Sequence, residues 1–123
     1  MKINRFENLE CWQESRKLMK LIYEIVGKKD IKDYRFRDQV IGSALSIMNN
    51  IAEGFGSQST NEFIRFLQIA RRSVFELESC LYAASDNNYL NEIEFKKIFD
   101  QSEKAIKIID GFLRYLRNYK LSR

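Results

Sequence analysis

The residues of this chain best suited to chemistry are basic and aromatic, and they gather near its C-terminus. Three cations at three-residue spacing alternate there with two tyrosines: Arg114, Tyr115, Arg117, Tyr119 and Lys120. Arginine and lysine neutralise phosphates, and tyrosine rings stack on unpaired bases, so the segment could form an edge that binds RNA or DNA. Cations near a helix C-terminus also suit the helix macrodipole, and tyrosines at a core margin cover neighbouring helices. Taken alone, the segment slightly favours this second, structural interpretation.

Two further groups of basic residues carry the same ambiguity. Lys104 and Lys107 precede the C-terminal segment, on a strip of cations that acidic residues border. Arg71 and Arg72, with Arg65 nearby, form a smaller cluster elsewhere in the chain. Our hypothesis assigns nucleic-acid contacts to the C-terminal cations, with two lysines contributing: Arg114, Arg117 and Lys120, then Lys104 and Lys107.

Catalytic chemistry finds little support in the residue types present. The chain has no histidine, which removes Ser-His-Asp and Cys-His catalysis and every His-ligated metal site. Glu53, Glu76 and Glu78 lie nearest to apolar patterns, but a ferritin-like di-metal site needs Glu-x-x-His motifs. For Glu78 we expect a partly buried carboxylate paired with an arginine, either Arg71 on the same helix or one across helices. We therefore expect no enzyme, no metal site and no cofactor.

Charge, cysteine usage and hydropathy describe an ordinary globular chain. The formal net charge is +4, from 21 basic and 17 acidic residues, which is mild for a nucleic-acid-binding protein. Cys11 and Cys80 are expected to be free thiols. The N-terminus lacks the apolar region of a signal peptide, and no stretch approaches the ~18 apolar residues of a membrane span. These features predict a cytoplasmic protein without a membrane partner.

Apolar residues recur at three- and four-residue steps in four segments, and the chain contains no proline to interrupt them. The predicted helices cover about residues 9–26, 36–55, 60–86 and 92–119. Ser59 with Glu62 has the pattern of a capping box for the third helix, and Asn91 with Glu94 marks the start of the fourth. Four amphipathic helices with short turns predict an all-α antiparallel up-and-down four-helix bundle, a single domain over residues 1–123.

The second predicted helix has an unusual outer face. Between Gln39 and Asn61 the only charged residue is Glu53, whereas surface helices ordinarily expose charges. Small neutral side chains allow close backbone approach, so this face is expected to pack against something, and we predict an interface between copies of the chain. The alternative is a polar face that merely lacks charge. The predicted interface residues are Gly42, Ser43, Ser46, Asn49, Asn50 and Glu53.

Four motifs stand out along the chain: Phe6-x-x-Leu9-x-x-Trp12, residues 46–56 (SIMNNIAEGFG), residues 62–70 (EFIRFLQIA) and residues 76–78 (ELE). Together they resemble the bacterial four helix bundle protein family, also called the 23S rRNA intervening-sequence protein family. The resemblance covers nearly the whole chain, from Phe6 to about Tyr115. One departure is Met48, where the family commonly has a proline, so we expect a straighter second helix here.

The resemblance implies an antiparallel four-helix bundle that assembles as a ring-like homopentamer. A related branch, the accessory variability determinants of diversity-generating retroelements, binds nucleic acid and a reverse transcriptase. The family supplies no catalytic residues, and the signature residues Asn50, Ala52, Glu53 and Gly54 are expected to be structural. Five copies at +4 each would carry +20, so a mild charge on one copy becomes a substantial field in a ring.

From these observations we expect a non-enzymatic, oligomeric accessory protein that binds RNA or another nucleic acid electrostatically. The alternative is an assembly scaffold that recognises a protein partner, such as a reverse transcriptase, without touching nucleic acid. The neutral face of the second helix discriminates between the two. If copies of the chain bury it, the basic strip is left as the obvious functional surface, whereas an exposed face favours the scaffold.

Overall fold

The computed structural model describes residues 3–121, and within them every regular element is helical. A short 3₁₀ turn, Phe6–Asn8, precedes four α-helices: α1 (Glu10–Ile25), α2 (Tyr34–Gly56), α3 (Thr60–Asp86) and α4 (Glu92–Leu121). Each helix contacts the next along the chain, and α1 also contacts α4, which closes the ring of helices. The predicted all-α four-helix bundle is confirmed.

The helices form a bundle because each turns one apolar stripe inward. Burying one such side chain stabilises the fold by about 1.5–3 kcal/mol. Core side chains come from all four helices, and the largest fully buried ones include Leu18, Ile22, Ile47, Ile51, Leu67, Leu77, Leu81, Ile98 and Ile109.

Close packing of α2 on α3 depends on a glycine. A Cβ atom at Gly54 would lie 2.8 Å from Cδ1 of Phe63 and 2.9 Å from Cβ of Phe66, closer than real contacts allow. The signature glycine is therefore structural, as expected. α2 also runs without interruption through Met48, the position where a proline would have removed a helical hydrogen bond.

Side-chain caps mark the starts of α2, α3 and α4 and correct two expectations drawn from the sequence. α2 begins at Tyr34, two residues earlier than predicted, because the Asp33 carboxylate accepts from the Phe36 amide at 3.1 Å. The Asn91–Glu94 pair forms both bonds of a capping box, at 3.0 and 2.8 Å. The Ser59–Glu62 pair forms only one, from the Glu62 amide to the Ser59 hydroxyl at 3.3 Å.

The return bond of that predicted capping box is absent because both of its partners are engaged elsewhere. The Ser59 amide donates to the Ser57 hydroxyl at 3.3 Å, and the Glu62 carboxylate accepts from Arg65 at 2.8 Å. The expectation of a complete capping box at Ser59 was wrong.

Candidate nucleic-acid interface

A groove between α3 and α4 brings together two basic clusters that are distant in sequence. It has a volume of about 540 Å³. The antiparallel packing of α3 and α4 sets the start of α3 against the end of α4. We call it the basic groove, and it is lined by Gln68, Arg71, Arg72, Asp110, Leu113, Arg114 and Arg117.

The basic groove carries an excess of positive charge. Arg71 is the one lining arginine that is neutralised, because its Nε donates to Asp110 Oδ1 at 2.6 Å. Arg72, Arg114 and Arg117 are exposed, and no ion pair joins them to any of residues 3–121. Four arginines and one aspartate thus leave three uncompensated positive charges along one groove. Guanidinium groups in this arrangement can bind phosphates through paired N–H donors.

The five predicted nucleic-acid residues do not lie together. Arg114 and Arg117 line the basic groove, whereas Lys104 contacts Glu14 of α1. Lys107 is exposed and lies two helical turns before Arg114, on the same side of α4. Lys120 lies beyond the groove, beside the turn that joins α2 to α3.

Lys104 belongs to a closed cluster around a buried carboxylate. Glu14 is only 5% exposed, and Lys104 Nζ lies 3.4 Å from its Oε1 atom. Gln101 and Lys17 also donate to this carboxylate, at 3.0 and 2.9 Å. Burial alone would raise the pKa of Glu14, but these hydrogen bonds outweigh it and lower the pKa. Lys104 therefore has a structural partner.

Glu78 does not pair with an arginine. Arg71 lies seven residues away, about 10 Å along the helix axis, and pairs with Asp110 across the groove instead. Glu78 is 7% exposed, and its carboxylate accepts from the Ser102 hydroxyl at 2.6 Å. Burial, followed by the neighbouring Glu103 carboxyl, raises the pKa of Glu78 to about 7. The predicted glutamate–arginine pair was wrong because Arg71 pairs with Asp110, and Glu78 accepts from Ser102 instead.

The neutral face of α2 divides into an inner and an outer half. In the inner half, Ser43 is buried, Ser46 shares a 3.0 Å hydrogen bond with Ser73 of α3, and Asn50 donates to Ser46. These three predicted interface residues therefore have contacts within their own chain. The outer half is exposed and nearly uncharged; we call it the α2 strip, and it consists of Gly42, Leu45, Asn49 and Glu53.

Sequence reasoning missed that Arg71 and Arg72 join Arg114 and Arg117. The antiparallel order of the helices shows only that α3 and α4 are neighbours, and the register between them decides which of their residues share a groove. Sequence reasoning also missed Gln68 and the neutralising role of Asp110, which only the packing of these two helices reveals.

Other kinds of site are missing from residues 3–121. No group of three histidine, cysteine or carboxylate residues is placed to hold a metal ion there. Cys11 and Cys80 are free thiols, as predicted, and burial raises the pKa of both. None of the described helices is long and apolar enough to cross a membrane.

Comparison with known proteins agrees with the sequence motifs. A solved structure of a protein of unknown function from the S23 ribosomal protein family of Bacteroides thetaiotaomicron VPI-5482 has a similar fold, with a TM-score of 0.72. The two chains are 21% identical over 85% of this chain and 95% of the other, a likeness that shows the fold alone. No curated protein matches the chain by sequence. The profile described as 23S rRNA-intervening sequence protein matches residues 7–111, so the chain belongs to that family.

Proposed function

We propose that this protein is a cytoplasmic, non-enzymatic, homo-oligomeric accessory protein that binds RNA through its basic groove. The observation that carries the proposal is the set of three uncompensated arginines along one groove: Arg72, Arg114 and Arg117. The family's association with 23S rRNA intervening sequences supports RNA as the nucleic acid. Two free thiols suit a reducing compartment such as the cytoplasm.

Phosphate binding explains why the charges of the basic groove are arranged as they are. Asp110 pairs with Arg71 at 2.6 Å, which fixes the guanidinium of Arg71 at the groove wall. The other three arginines lie on both walls of the groove, Arg72 on α3 and Arg114 and Arg117 on α4, and can contact phosphates of one strand. Lys107 continues the same side of α4 and extends the positive surface. Binding of this kind is electrostatic and independent of base sequence.

Self-association strengthens this proposal. The α2 strip is exposed and contains one charged residue, Glu53, and Leu45 is 40% exposed within it. Such a surface suits contact with a second copy better than it suits water, because small and apolar side chains allow close packing. Several copies multiply the charge of +4 and place several grooves on one particle.

The test is binding of a labelled single-stranded RNA across a salt series, with the oligomer mass measured alongside. Replacing Arg114 and Arg117 by alanine should weaken binding and reduce the salt slope by about 1.4, since each lost phosphate contact on a single strand removes about 0.7. The control is K28A/K32A, which removes the same charge from exposed lysines at the opposite end of the bundle. Equal losses in both variants would contradict a localised site.

A second candidate function is an assembly scaffold that recognises a protein partner through the α2 strip. The observation that favours it is the exposure of Gly42, Leu45 and Asn49 in a single chain. If the intact oligomer fails to bind RNA even at low salt, the scaffold replaces the RNA proposal. Replacing Gly42 by glutamate should then abolish partner binding, whereas in the RNA proposal it should reduce the oligomer mass. No neighbouring atom lies within 4 Å of a Cβ at Gly42, so the monomer tolerates the change.

A further inference from the structure

An aromatic pocket lies at the end of the bundle where α2 ends, α3 begins and α4 ends. Its volume is about 220 Å³, below the roughly 300–1,000 Å³ typical of sites for drug-sized ligands, so it suits a single ring system. We call it the aromatic pocket; its walls are Phe55, Phe63, Tyr115, Leu116 and Tyr119, and its polar rim includes Gln58, Ser59 and Thr60.

The two tyrosines in the pocket wall continue a ladder of parallel rings on α4 that begins at Phe112, outside the pocket. Phe112 and Tyr115 stack with ring centroids 6.0 Å apart and planes 7° apart, and Tyr115 and Tyr119 follow at 6.3 Å and 22°. The two tyrosines are 41% and 42% exposed. Exposed, parallel aromatic faces are the platform on which proteins stack the bases of single-stranded nucleic acids.

Gln58 contributes an amide to the rim of the aromatic pocket. Its backbone has φ of 56°, the left-handed conformation that commonly follows the last turn of a helix, and it lies two residues after Gly56, the end of α2. The amide carries both a donor and an acceptor beside the aromatic rings, where it can bond to the edge of a base.

The electrostatics of the surroundings suit an anionic chain. Among residues 3–121, no carboxylate lines the aromatic pocket or the adjoining cavity, which contains Lys120 and the polar side chains of the α2–α3 turn. Arg114, Arg117 and Lys120 lie at three-residue spacing on α4, so they form one row on the helix surface. This row leads from the basic groove to the cavity beside the aromatic pocket.

We propose that the aromatic pocket binds one unpaired nucleobase of a single-stranded RNA whose phosphates follow the row from Arg114 to Lys120. The inference rests on the proposed function, and it makes the protein selective for unpaired RNA over duplex, because a base held in a duplex cannot enter the pocket. Tyr119, the last ring of the ladder, stacks on the base, Tyr115 contacts it from the pocket wall, and Gln58 bonds to the edge of the base.

The test compares two labelled strands of equal charge, an oligoadenylate of about ten nucleotides and an abasic strand of the same length. Wild-type protein should bind the oligoadenylate at least fivefold more tightly, since stacking one base contributes at least that much. Tyr119→Leu keeps an apolar side chain without an aromatic face and should remove the preference. Tyr23→Leu, at a tyrosine 51% exposed on α1, is the control and should leave the preference unchanged.

Gln58→Gly provides a second variant, which we expect to fold because glycine adopts the left-handed conformation without strain. Glycine relieves the left-handed backbone, so its melting temperature should stay level or rise while the preference for oligoadenylate falls. A purely structural Gln58 would leave the preference intact, which would overturn its role at the rim.

The outcomes separate the two proposals. Equal binding of both strands by wild-type protein overturns the base-binding pocket and leaves the phosphate-binding groove standing. Binding of neither strand overturns both proposals. The R114A/R117A variant should lose affinity for both strands by the same factor, because it removes phosphate contacts and leaves the pocket unchanged.

Discussion

The two contacts that α4 makes with its neighbours contain the same residue types but balance their charges differently. Where α4 meets α1, the buried Glu14 lies within hydrogen-bond or ion-pair reach of two lysines and Gln101, and its pKa is lowered despite burial. Where α4 meets α3, the buried Glu78 has the Ser102 hydroxyl as its donor, and its pKa rises to about 7. Identical side chains therefore acquire opposite properties from the helix they face.

The same difference governs the cations of α4. Lys104 faces a carboxylate of α1 and contributes to packing, whereas Arg114 and Arg117 face Arg71 and Arg72 of α3. At the α1–α4 contact, Lys104 and Lys17 share the carboxylate of Glu14 and leave an excess of one positive charge. The α3–α4 contact has an excess of three, which an anion from outside can balance. A cation on a helix becomes a candidate binding residue only when the neighbouring helix fails to neutralise it.

The largest expected effect tests the α3–α4 contact through Glu78. The folded pKa of Glu78, about 7, lies above the reference value of 4.5. The contribution of this carboxyl group to the free energy of unfolding is therefore fully present below pH 4.5 and is lost as the pH rises through 7. Glu78→Gln should remove this loss, making the protein about 2–3 kcal/mol more stable than wild type at pH 8. Urea denaturation between pH 4 and 9 measures it, with the exposed Glu76→Gln as control. A wild-type stability that does not change over this range would contradict the raised pKa.

The next effect tests the α1–α4 contact through Glu14. Glu14→Ala removes an acceptor shared by Gln101, Lys17 and Lys104, and should cost about 1–2 kcal/mol at pH 7. Its folded pKa is depressed below 4.5, so the stabilisation is present above pH 4.5 and is lost as pH falls through the folded pKa. Denaturation at neutral and acid pH should show the two proteins converging in acid. Glu24→Ala, at an exposed glutamate of the same helix, should show neither effect.

A smaller effect is expected when the excess positive charge of the basic groove is increased, which sharpens the contrast between the α3–α4 and α1–α4 contacts. Asp110→Asn keeps an oxygen that can accept from Arg71 but removes the only lining carboxylate of the basic groove. RNA affinity should rise severalfold and the salt slope should steepen by about 0.7. Asp100→Asn is the matched control, because Asp100 pairs with Lys96 near the other end of α4. Equal gains in RNA affinity for both variants would indicate a general effect of net charge and would contradict a site in the basic groove.

The fold was predictable because its signals are local. Apolar stripes at helical spacing and the absence of proline predicted the four helices. The observed helix ends differ from the predicted ones mainly where a single capping residue, such as Asp33, fixes the first turn. The Ser59 capping box failed in part because Ser57 and Arg65, both close in sequence, competed for the same groups. The outcome of such competition depends on the three-dimensional geometry of the turn.

The site was predictable only in its residue types. The sequence singled out Arg71, Arg72, Arg114 and Arg117 but could not place the two pairs in one groove, because that requires the register between α3 and α4. The pairing of Lys104 with Glu14, from opposite ends of the chain, was hidden for the same reason. The neutral face of α2 was expected to pack against something, and part of it packs against α3 of the same chain.

The most direct test compares one cation from each of the two contacts that α4 makes. Arg114→Ala and Lys104→Ala each remove one positive charge from the same helix, and binding of a single-stranded RNA is followed across a salt series. Arg114→Ala should flatten the salt slope by about 0.7, whereas Lys104→Ala should leave the slope unchanged. Equal slopes for the two variants would contradict the assignment of RNA binding to the groove between α3 and α4.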